Sequence, residues 1–289
     1  MAKRKIVQLT SALVFNLNLP GFANGQIYQG AGKTACVPGL NCYSCPGAVG
    51  ACPVGALQSA LSGTTLRFPF YVLGTLLAFG LVFGRWICGW LCPFGLLQGL
   101  LYRLPSPKLG KSRWTARLCR LKYPLGLGLV VAAPPLLYFV QGIGEPVFCE
   151  YVCPAGTLEA AVPLLTTHDS LAAAAGGRTV WKFFLLAVFL AAMVVIYRPF
   201  CRFVCPLGAW YGCFNRQALL GIAVDAAHCT HCGACAAVCR MDARIAGDAE
   251  CISCGDCRTV CPTKAIAFRR PFDQKLVNAK NTIQEVKEK

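Results

Sequence analysis

Eight cysteines near the C-terminal end of the chain repeat one spacing twice. The first run is Cys229, Cys232, Cys235 and Cys239, and the second, after eleven intervening residues, is Cys251, Cys254, Cys257 and Cys261. Both runs follow the pattern C-x2-C-x2-C-x3-C, which is the ligand spacing of paired [4Fe-4S] clusters. In that arrangement three close thiolates surround one cluster, and the fourth cysteine of each run reaches the other cluster.

This exchange of fourth ligands assigns all eight cysteines. One cluster takes Cys229, Cys232, Cys235 and Cys261, and the other takes Cys251, Cys254, Cys257 and Cys239. Structural zinc sites typically use C-x2-C pairs with a longer spacer, and disulfide frameworks belong to secreted chains, so both fit the spacing less well. Arg240 stands where the first run would usually have proline, but it removes no ligand. We therefore predict an α+β domain of the bacterial two-cluster ferredoxin type over residues 217–268.

A second cysteine phrase, Cys-Pro-x-Gly, occurs four times. Its cysteines are Cys52, Cys92, Cys153 and Cys205, and in the last three phrases another cysteine stands four residues upstream, at Cys88, Cys149 and Cys201. Proline suits the first position of a helix, where its missing amide has no helical partner. The phrase therefore predicts a cysteine at a helix N-terminus, where the dipole and free amides stabilise a thiolate or an anionic cluster. The glycine lets the backbone approach a bulky group closely.

The elements that carry these phrases are predicted to lie in a membrane. The chain is 56% hydrophobic and 14% charged, whereas a soluble domain is about 25% charged. Uncharged or nearly uncharged stretches at 6–19, 68–84, 123–144 and 179–197 predict about four transmembrane helices, the third kinked at Pro134 and Pro135. The predicted fold is thus mostly α, a polytopic helical membrane protein with the C-terminal α+β ferredoxin domain.

Four regions follow from this division of the chain. Residues 1–66 form an N-terminal anchor and a cysteine-rich outer loop, and 67–216 hold the membrane helices with the Cys-x3-Cys-Pro phrases. Residues 217–268 are the ferredoxin domain, and 269–289 are a charged tail.

Loop charges predict the orientation in the membrane. From Arg85 to Lys122 there are eight Lys or Arg residues and no acid, whereas from Gln141 to Arg178 there are four acids and one base. The positive-inside rule places the 85–122 loop, the N-terminus and everything after Arg198 in the cytoplasm. We therefore predict a multi-pass protein of a bacterial-type inner membrane with a cytoplasmic ferredoxin domain. The net charge of +16 then reflects topology and lipid contact, and no nucleic acid is expected as a partner.

Topology sorts the remaining cysteines into two predicted sites. Cys88, Cys92, Cys201 and Cys205 lie on the cytoplasmic side and are predicted to hold one cluster. Cys149 and Cys153 lie outside with two of Cys36, Cys42, Cys45 and Cys52, and we favour Cys45 and Cys52 because proline follows each. Alternatively, the four N-terminal cysteines bind a cluster by themselves. One or two iron–sulfur clusters are thus expected beyond the two of the ferredoxin domain.

Other cofactors are not predicted. The three histidines, His168, His228 and His231, lie outside the predicted spans, so no haem with two histidine ligands is expected in the bilayer. There is no C-x-x-C-H sequence for covalent haem and no glycine-rich phosphate loop for a nucleotide.

Cys-x3-Cys-Pro phrases beside membrane helices, followed by a two-cluster ferredoxin, resemble the NapH/NosR-type membrane polyferredoxins. The resemblance covers roughly Arg67 to Pro262 and implies membrane electron transfer between quinol or cytoplasmic donors and an extracytoplasmic acceptor. The family includes the quinol dehydrogenase component of periplasmic nitrate reductase. Its pattern typically has two Cys-x3-Cys-Pro phrases, whereas this chain has three and the Cys36–Cys52 loop in addition. A specific nitrogen-oxide partner is therefore not carried over.

The leading hypothesis is an electron-transfer subunit of an oxidoreductase complex, with a redox partner protein or quinol as its partner, rather than a stand-alone enzyme. A chain of centres is needed because a hydrocarbon core of about 30 Å is too thick for one efficient transfer. A second hypothesis is a transmembrane exporter of reducing equivalents to thiols, with Cys42 and Cys45 as an outer C-x-x-C pair. A third is a redox-sensing regulatory membrane protein.

Overall fold

The computed structural model describes residues 2–62 and 68–269, which are mostly helical with one two-stranded sheet. The α-helices are Ala2–Phe15, Leu19–Asn24, Pro53–Leu61, Phe70–Phe83, Trp86–Trp90, Pro93–Leu101, Arg113–Leu118, Lys122–Leu125, Ala133–Gln141, Pro154–Gly156, Val162–Thr167, Asp169–Ala173, Gly177–Val195, Pro199–Phe203, Pro206–Phe214 and Ala234–Val238. The 3-10 helices are Ala31–Thr34 and Asp256–Arg258. The π-helical segments are Gly126–Ala132, Phe148–Val152 and Thr157–Ala161.

Two helical stretches are long and apolar enough to cross a membrane. They are Arg113–Gln141, with 29 residues, and Gly177–Val195, with 19 residues, and they contain most of the predicted spans 123–144 and 179–197. The other two predicted spans fall on shorter helices, Ala2–Phe15 and Phe70–Phe83, which have 14 residues each. Arg67, which bounds the second predicted span, and residues 270–289 of the predicted tail lie outside the described residues.

These helices expose their apolar side chains. On Gly177–Val195, Val180 is 70% exposed and Phe184 is 57% exposed, and on the Arg113–Gln141 stretch Phe139 is 76% exposed. Water contact with so much apolar surface is unfavourable, and extended patches of this kind are typical of membrane or partner contact.

The predicted irregularity at the proline pair is a change of helix type. Pro134 and Pro135 open the helix Ala133–Gln141, directly after the π-helical segment Gly126–Ala132. Proline amides cannot donate within a helix, and a wider π turn is one way in which a helix accommodates a break in its hydrogen bonding.

The ferredoxin domain begins and ends on its two strands. Gly221–Val224 pairs antiparallel with Ile266–Arg269, with Gly221 opposite Arg269 and Val224 opposite Ile266. The two cysteine runs lie between the strands, and each run contains a short helix, Ala234–Val238 in the first and Asp256–Arg258 in the second. This is the small α+β unit that the sequence predicts.

The ferredoxin domain shares its core with the helices that carry the Cys-Pro phrases. Met241 and Ile252 of the domain, 2% and 1% exposed, belong to the same buried cluster as Ile87, Phe94 and Phe200. The two cysteine-bearing regions are therefore packed against each other rather than joined only by a linker.

Candidate iron–sulfur sites

All four Cys-Pro phrases begin helices. Cys52, Cys92, Cys153 and Cys205 are each the N-cap residue of a helix whose first residue is the following proline. Cys92 Sγ also accepts a hydrogen bond from the backbone amide of Gly95 at 3.4 Å. The predicted placement of these cysteines at helix N-termini is confirmed, so their sulfurs lie where free amides favour negative charge.

Two distant phrases bring four buried cysteines together. Cys88, Cys92 and Cys205 belong to one buried cluster of side chains, and Gln98, on the helix that begins after Cys92, donates to Cys201 Sγ. All four thiols are buried. These are the residues that the sequence predicts for the cytoplasmic-side cluster. We refer to them as the arginine-flanked set, for the reason that follows.

An arginine precedes the first cysteine of both phrases by three positions, and the two arginines bind each other's phrase. Arg85 Nη2 donates to the carbonyl oxygen of Cys201 at 3.2 Å. Arg198 Nη1 donates to the carbonyl oxygen of Cys88 at 2.6 Å. This reciprocal contact fixes the two phrases relative to each other.

The glycines of the same two phrases leave space for these arginines. A Cβ atom on Gly95 would lie 3.2 Å from Arg198 Nη1, and one on Gly208 would lie 3.5 Å from Arg85 Nη2. Each Cβ atom would also come within about 3 Å of a cysteine carbonyl oxygen. The glycine that the sequence assigns to close approach thus also admits a buried cation.

The surroundings of Arg198 indicate whether the arginine-flanked set fits an anionic cluster. Its side chain is 1% exposed, and among the described residues its Nε atom has no hydrogen-bond partner and it forms no ion pair with a carboxylate. A buried cation is costly unless a counter-charge lies nearby. The charges that act on it are those of Tyr197 and the set's Cys201, Cys92 and Cys88. Four thiolates around a cluster would supply the missing negative charge, so the donor set fits.

A second group of four cysteines lines one cavity of about 970 Å³. Cys149 interacts electrostatically with Cys153, Cys52 and Cys42, and all four line this cavity. We refer to these four as the cavity-lining set. Three of them are residues that the sequence predicts for the outer cluster. The fourth is Cys42, where the sequence favours Cys45.

Cys45 is directed elsewhere. It is 1% exposed, its Sγ atom lies 3.6 Å from Asn16 Oδ1, and its main electrostatic neighbours are Glu159 and Lys33. The reason is local: Cys52-Pro53 begins a helix, whereas Cys45 and Pro46 lie in a turn in which the Cys45 amide donates to the Cys42 carbonyl at 3.1 Å. The following proline, which favours Cys45 in the sequence, therefore has different structural meanings at the two positions.

Cys36 lines the same cavity. Burial is the main cause of its raised pKa, and a hydrogen bond with the Thr75 side chain opposes that rise. Of the four N-terminal cysteines, Cys36, Cys42 and Cys52 therefore border this cavity.

The ferredoxin cysteines surround two cavities in the predicted groups. A cavity of about 260 Å³ is lined by Cys229, Cys232, Cys235 and Cys261. A second, smaller cavity is lined by Cys235, Cys239, Cys251, Cys254 and Cys257. Cys261 of the second run thus lies with three cysteines of the first, and Cys239 of the first run lies with three of the second. The exchange of fourth ligands between the two runs stays a prediction.

The two runs also share an unusual backbone conformation. The residues before and after the second cysteine have positive φ in both copies: His231 (54°) and Gly233 (73°), then Ser253 (51°) and Gly255 (84°). Positive φ is strained for residues other than glycine and is retained mostly at functional sites. Alternation of this kind turns successive amides toward a common centre, which suits an anion.

Burial raises the pKa of several cysteines in these groups. Burial raises the pKa of Cys153 to about 12 and that of Cys257 to about 12. Burial likewise raises the pKa of the Glu159 carboxyl to about 7, although the Cys42 amide opposes this. Ligation requires deprotonated thiols, so the positive charge of iron must compensate for the burial.

No three His, Cys, Asp or Glu side chains within residues 2–62 and 68–269 converge closely enough to hold a single metal ion. A [4Fe-4S] cluster presents a separate iron to each thiolate, so its ligands surround a cavity instead of meeting at one point.

Sequence reasoning missed a polar position in the Cys-Pro phrases. Six residues after each phrase cysteine stand Gln58, Gln98, Glu159 and Tyr211. Gln98 Nε2 donates to Cys201 Sγ at 2.9 Å, Gln58 Oε1 accepts from the Cys149 amide at 3.0 Å, and Glu159 Oε2 accepts from the Cys42 amide at 2.6 Å. Each of these three contacts a cysteine contributed by another segment to the same set. Such contacts orient and tune ligands. The recurrence of a polar residue at the same position in all four phrases is the sequence signal that could have identified these contacts.

A short N-terminal segment connects the two sets. The backbone of Leu40 lies beside the Cys92 thiol and that of Asn41 lies beside the Cys52 thiol, where each lowers the thiol pKa against the larger effect of burial. Tyr211, from the fourth phrase, donates from its hydroxyl to the carbonyl oxygen of Pro38 at 2.9 Å. Residues 38–41 therefore contact both the arginine-flanked set and the cavity-lining set.

The ferredoxin domain contacts the arginine-flanked set on its other side. Trp90 Nε1 donates to the Ser253 carbonyl at 2.9 Å, and Asn215 Nδ2 donates to the Cys251 carbonyl at 3.0 Å. Arg85, which binds Cys201, also pairs with Glu250 at 2.5 Å. Lys122 pairs with the same carboxylate.

Comparison with known proteins gives the class of this chain. Three segments, 64–112, 123–162 and 178–223, match the model of the 4Fe-4S binding domain. Each segment contains one of the three Cys-x3-Cys-Pro phrases. Over these segments the chain is therefore similar to 4Fe-4S ferredoxin-type proteins.

Named relatives narrow the class. The chain is 32% identical to the methylamine utilization ferredoxin-type protein MauN of Methylorubrum extorquens, over 66% of this chain and 55% of that protein. It is 29% identical to MauN of Paracoccus denitrificans, over 65% of this chain and 60% of that protein. It is 30% identical to the ferredoxin-type protein NapH of Haemophilus influenzae, over 53% of this chain and 46% of that protein.

These matches confirm the resemblance to NapH-type polyferredoxins. The chain spans about half to three-fifths of the length of these relatives. No solved structure matches the chain.

Proposed function

We propose that this chain is a membrane-bound iron–sulfur protein that relays electrons between a cytoplasmic or quinol donor and an extracytoplasmic acceptor, as a subunit of a larger complex. The observation that carries the proposal is an unbroken line of contacts from the ferredoxin domain, through the arginine-flanked set, to the cavity-lining set. The 4Fe-4S class of the chain supports the cofactor.

The ferredoxin domain is the entry or exit side for a soluble partner. The cavity lined by Cys229, Cys232, Cys235 and Cys261 opens at the surface, where His231, Cys232 and Gly233 are exposed. The other ferredoxin group lies inward, since Cys251 and Cys257 are buried. A partner can thus approach one cysteine group while the other faces the membrane helices.

The [4Fe-4S] clusters, when bound, supply one-electron chemistry whose potential depends on hydrogen bonds to sulfur, charge and solvent exposure. The chain's own residues control those terms. Buried Arg85 and Arg198 place positive charge beside the arginine-flanked set, Gln98 donates to one of its sulfurs, and the surrounding core excludes water.

The membrane placement rests on the exposed apolar helices. Besides the two helices long enough to span, two helices of 14 residues also present apolar residues outward, such as Leu9 and Leu13 on Ala2–Phe15 and Phe70 on Phe70–Phe83. We propose four spans with the ferredoxin domain in the cytoplasm. This orientation follows the eight bases and no acids from Arg85 to Lys122.

The thiol-export alternative is less well supported. It requires a partner to reach both Cys42 and Cys45, but Cys45 is 1% exposed and lies against Asn16.

Iron and acid-labile sulfide analysis of the full chain, purified without oxygen, tests the relay. Two clusters in the ferredoxin domain account for about eight irons per chain, and each further cluster adds about four. Cys257→Ala should lose or convert one cluster and weaken one EPR signal of the reduced protein, while the chain still inserts in the membrane. Unchanged iron and EPR signals in this variant would refute the ferredoxin assignment.

A further inference from the structure

We infer that Cys42, Cys52, Cys149 and Cys153 together hold an iron–sulfur cluster of their own, with Cys42 as the fourth ligand. This inference rests on the proposed function and deepens it, because it names the site nearest to the extracytoplasmic acceptor.

The four thiols converge on one cavity, which is lined by Cys42, Cys52, Cys149 and Cys153. Two members come from the 36–52 loop and two from the third Cys-Pro phrase. This mixed origin matches that of the arginine-flanked set, which also combines two segments.

Contacts with the third Cys-Pro phrase fix the position of Cys42. Glu159, six residues after Cys153, accepts the Cys42 backbone amide at 2.6 Å and so fastens the N-terminal loop to the third phrase. Gly156, in the same phrase, lies beside this thiol, since a Cβ atom built there would be at ordinary contact distance, 3.6 Å, from Cys42 Sγ.

Cys149 is held in the same way from the first phrase. Gln58, which is fully buried, accepts the Cys149 amide at 3.0 Å and donates to the Leu129 carbonyl at 2.9 Å. Thus the first phrase positions a cysteine of the third, and the third positions Cys42. All four thiols border the same cavity of about 970 Å³.

Charge around this cavity differs from that around the arginine-flanked set. Lys33 and Lys182 line it, together with the polar Ser59 and Tyr71, whereas no arginine binds the cysteine carbonyls of this set among the contacts of the described residues. The cavity is also far larger than the one at either ferredoxin group. The cluster would therefore be open to an approaching acceptor on one side.

Cys42→Ala and Cys45→Ala form a matched pair, three residues apart in one loop. In the full chain purified without oxygen, Cys42→Ala should lose about four irons per chain and one EPR signal, and Cys45→Ala should retain both. Cys149→Ala should lose the same signal as Cys42→Ala, and combining the two should cause no further loss, because both remove the same cluster. The ferredoxin signals report that each variant is folded.

Loss of iron in Cys45→Ala alone, equal loss in both variants, or full retention in Cys42→Ala would each overturn this site. Equal loss would instead support a self-contained N-terminal cluster. Failure of the relay itself would give a different result. The unchanged chain would then contain no more than about eight irons. Iron above that level together with an unaffected Cys42→Ala variant would remove this site and leave the relay intact.

Discussion

At the scale of single residues, the arginine-flanked set shows how buried charge and hydrogen bonds can tune a cluster without ligating it. Arg85 and Arg198 lie beside the set at 0% and 1% exposure, and Gln98 donates to Cys201 Sγ at 2.9 Å. Reduction adds negative charge to a cluster. Each of these groups therefore stabilises the reduced form relative to the oxidised form and raises the potential.

Replacing Gln98 tests this effect directly. Gln98→Leu removes the donor to Cys201, so we expect the midpoint potential of the arginine-flanked cluster to fall, with no loss of iron. An EPR-monitored redox titration of the full chain measures the shift. Gln58→Leu is the matched control, since Gln58 occupies the same position in another phrase but contacts the backbone of Cys149. A potential that is unchanged in Gln98→Leu would show that the hydrogen bond has no tuning role.

At this scale the sequence could indicate most of the candidate ligand cysteines, but it could not indicate which side chains contact them. The ferredoxin spacing is local, so it determines the two cysteine groups without knowledge of the fold. Cys42 could not be distinguished from Cys45 in this way, because the choice depends on a contact with Glu159, 117 positions along the chain. In the sequence, Arg85 and Arg198 appear only as charges beside apolar segments. Their reciprocal contacts with the carbonyl oxygens of Cys201 and Cys88 are visible only in the structure.

At the scale of elements, short helices allow the close approach of the ferredoxin domain. Trp86–Trp90 is five residues long, and its Gly89 faces the loop between Cys251 and Cys254. A Cβ atom on Gly89 would lie 2.1 Å from the Ile252 carbonyl oxygen, so no larger residue fits without displacing backbone. Glu250 adds a buried pairing with Arg85 and Lys122. Removing one partner from such a group typically costs about 3–5 kcal/mol.

Gly89→Ala should loosen this contact. Overpacking a buried site costs about 1–3 kcal/mol, and here the ferredoxin loop must move away from the helix. We expect faster limited proteolysis between residues 217 and 268 in membranes that contain the variant. Gly74→Ala, in the helix Phe70–Phe83, should behave like the unchanged chain because nothing lies within 4 Å of its Cβ position. Identical proteolysis of the Gly89→Ala variant and the unchanged chain would contradict the predicted close docking.

At the scale of the whole molecule, the sequence predicted the individual regions of the chain better than the contacts between those regions. The two long apolar helices and the ferredoxin unit follow from hydropathy and cysteine spacing, which are local patterns. The contact of residues 38–41 with both cysteine sets was not predictable, because it brings the N-terminal loop against Cys92 through tertiary packing. This contact places the two sets close together in the molecule, so a relay does not have to cross the full hydrocarbon thickness of about 30 Å in one step.

The last prediction concerns orientation across the membrane. Gly110 and Gly176 are both exposed, and nothing lies within 4 Å of the Cβ position of either, so a short epitope inserted at each should be tolerated. The apolar stretch Arg113–Gln141 lies between them. If this stretch spans once, the two epitopes lie on opposite sides. The charge bias predicts that intact cells expose the epitope at Gly176 and protect the one at Gly110 until the membrane is permeabilised. Both epitopes on the same side would refute the single crossing, and the reverse pattern would place the ferredoxin domain outside the cytoplasm and invert the proposed relay.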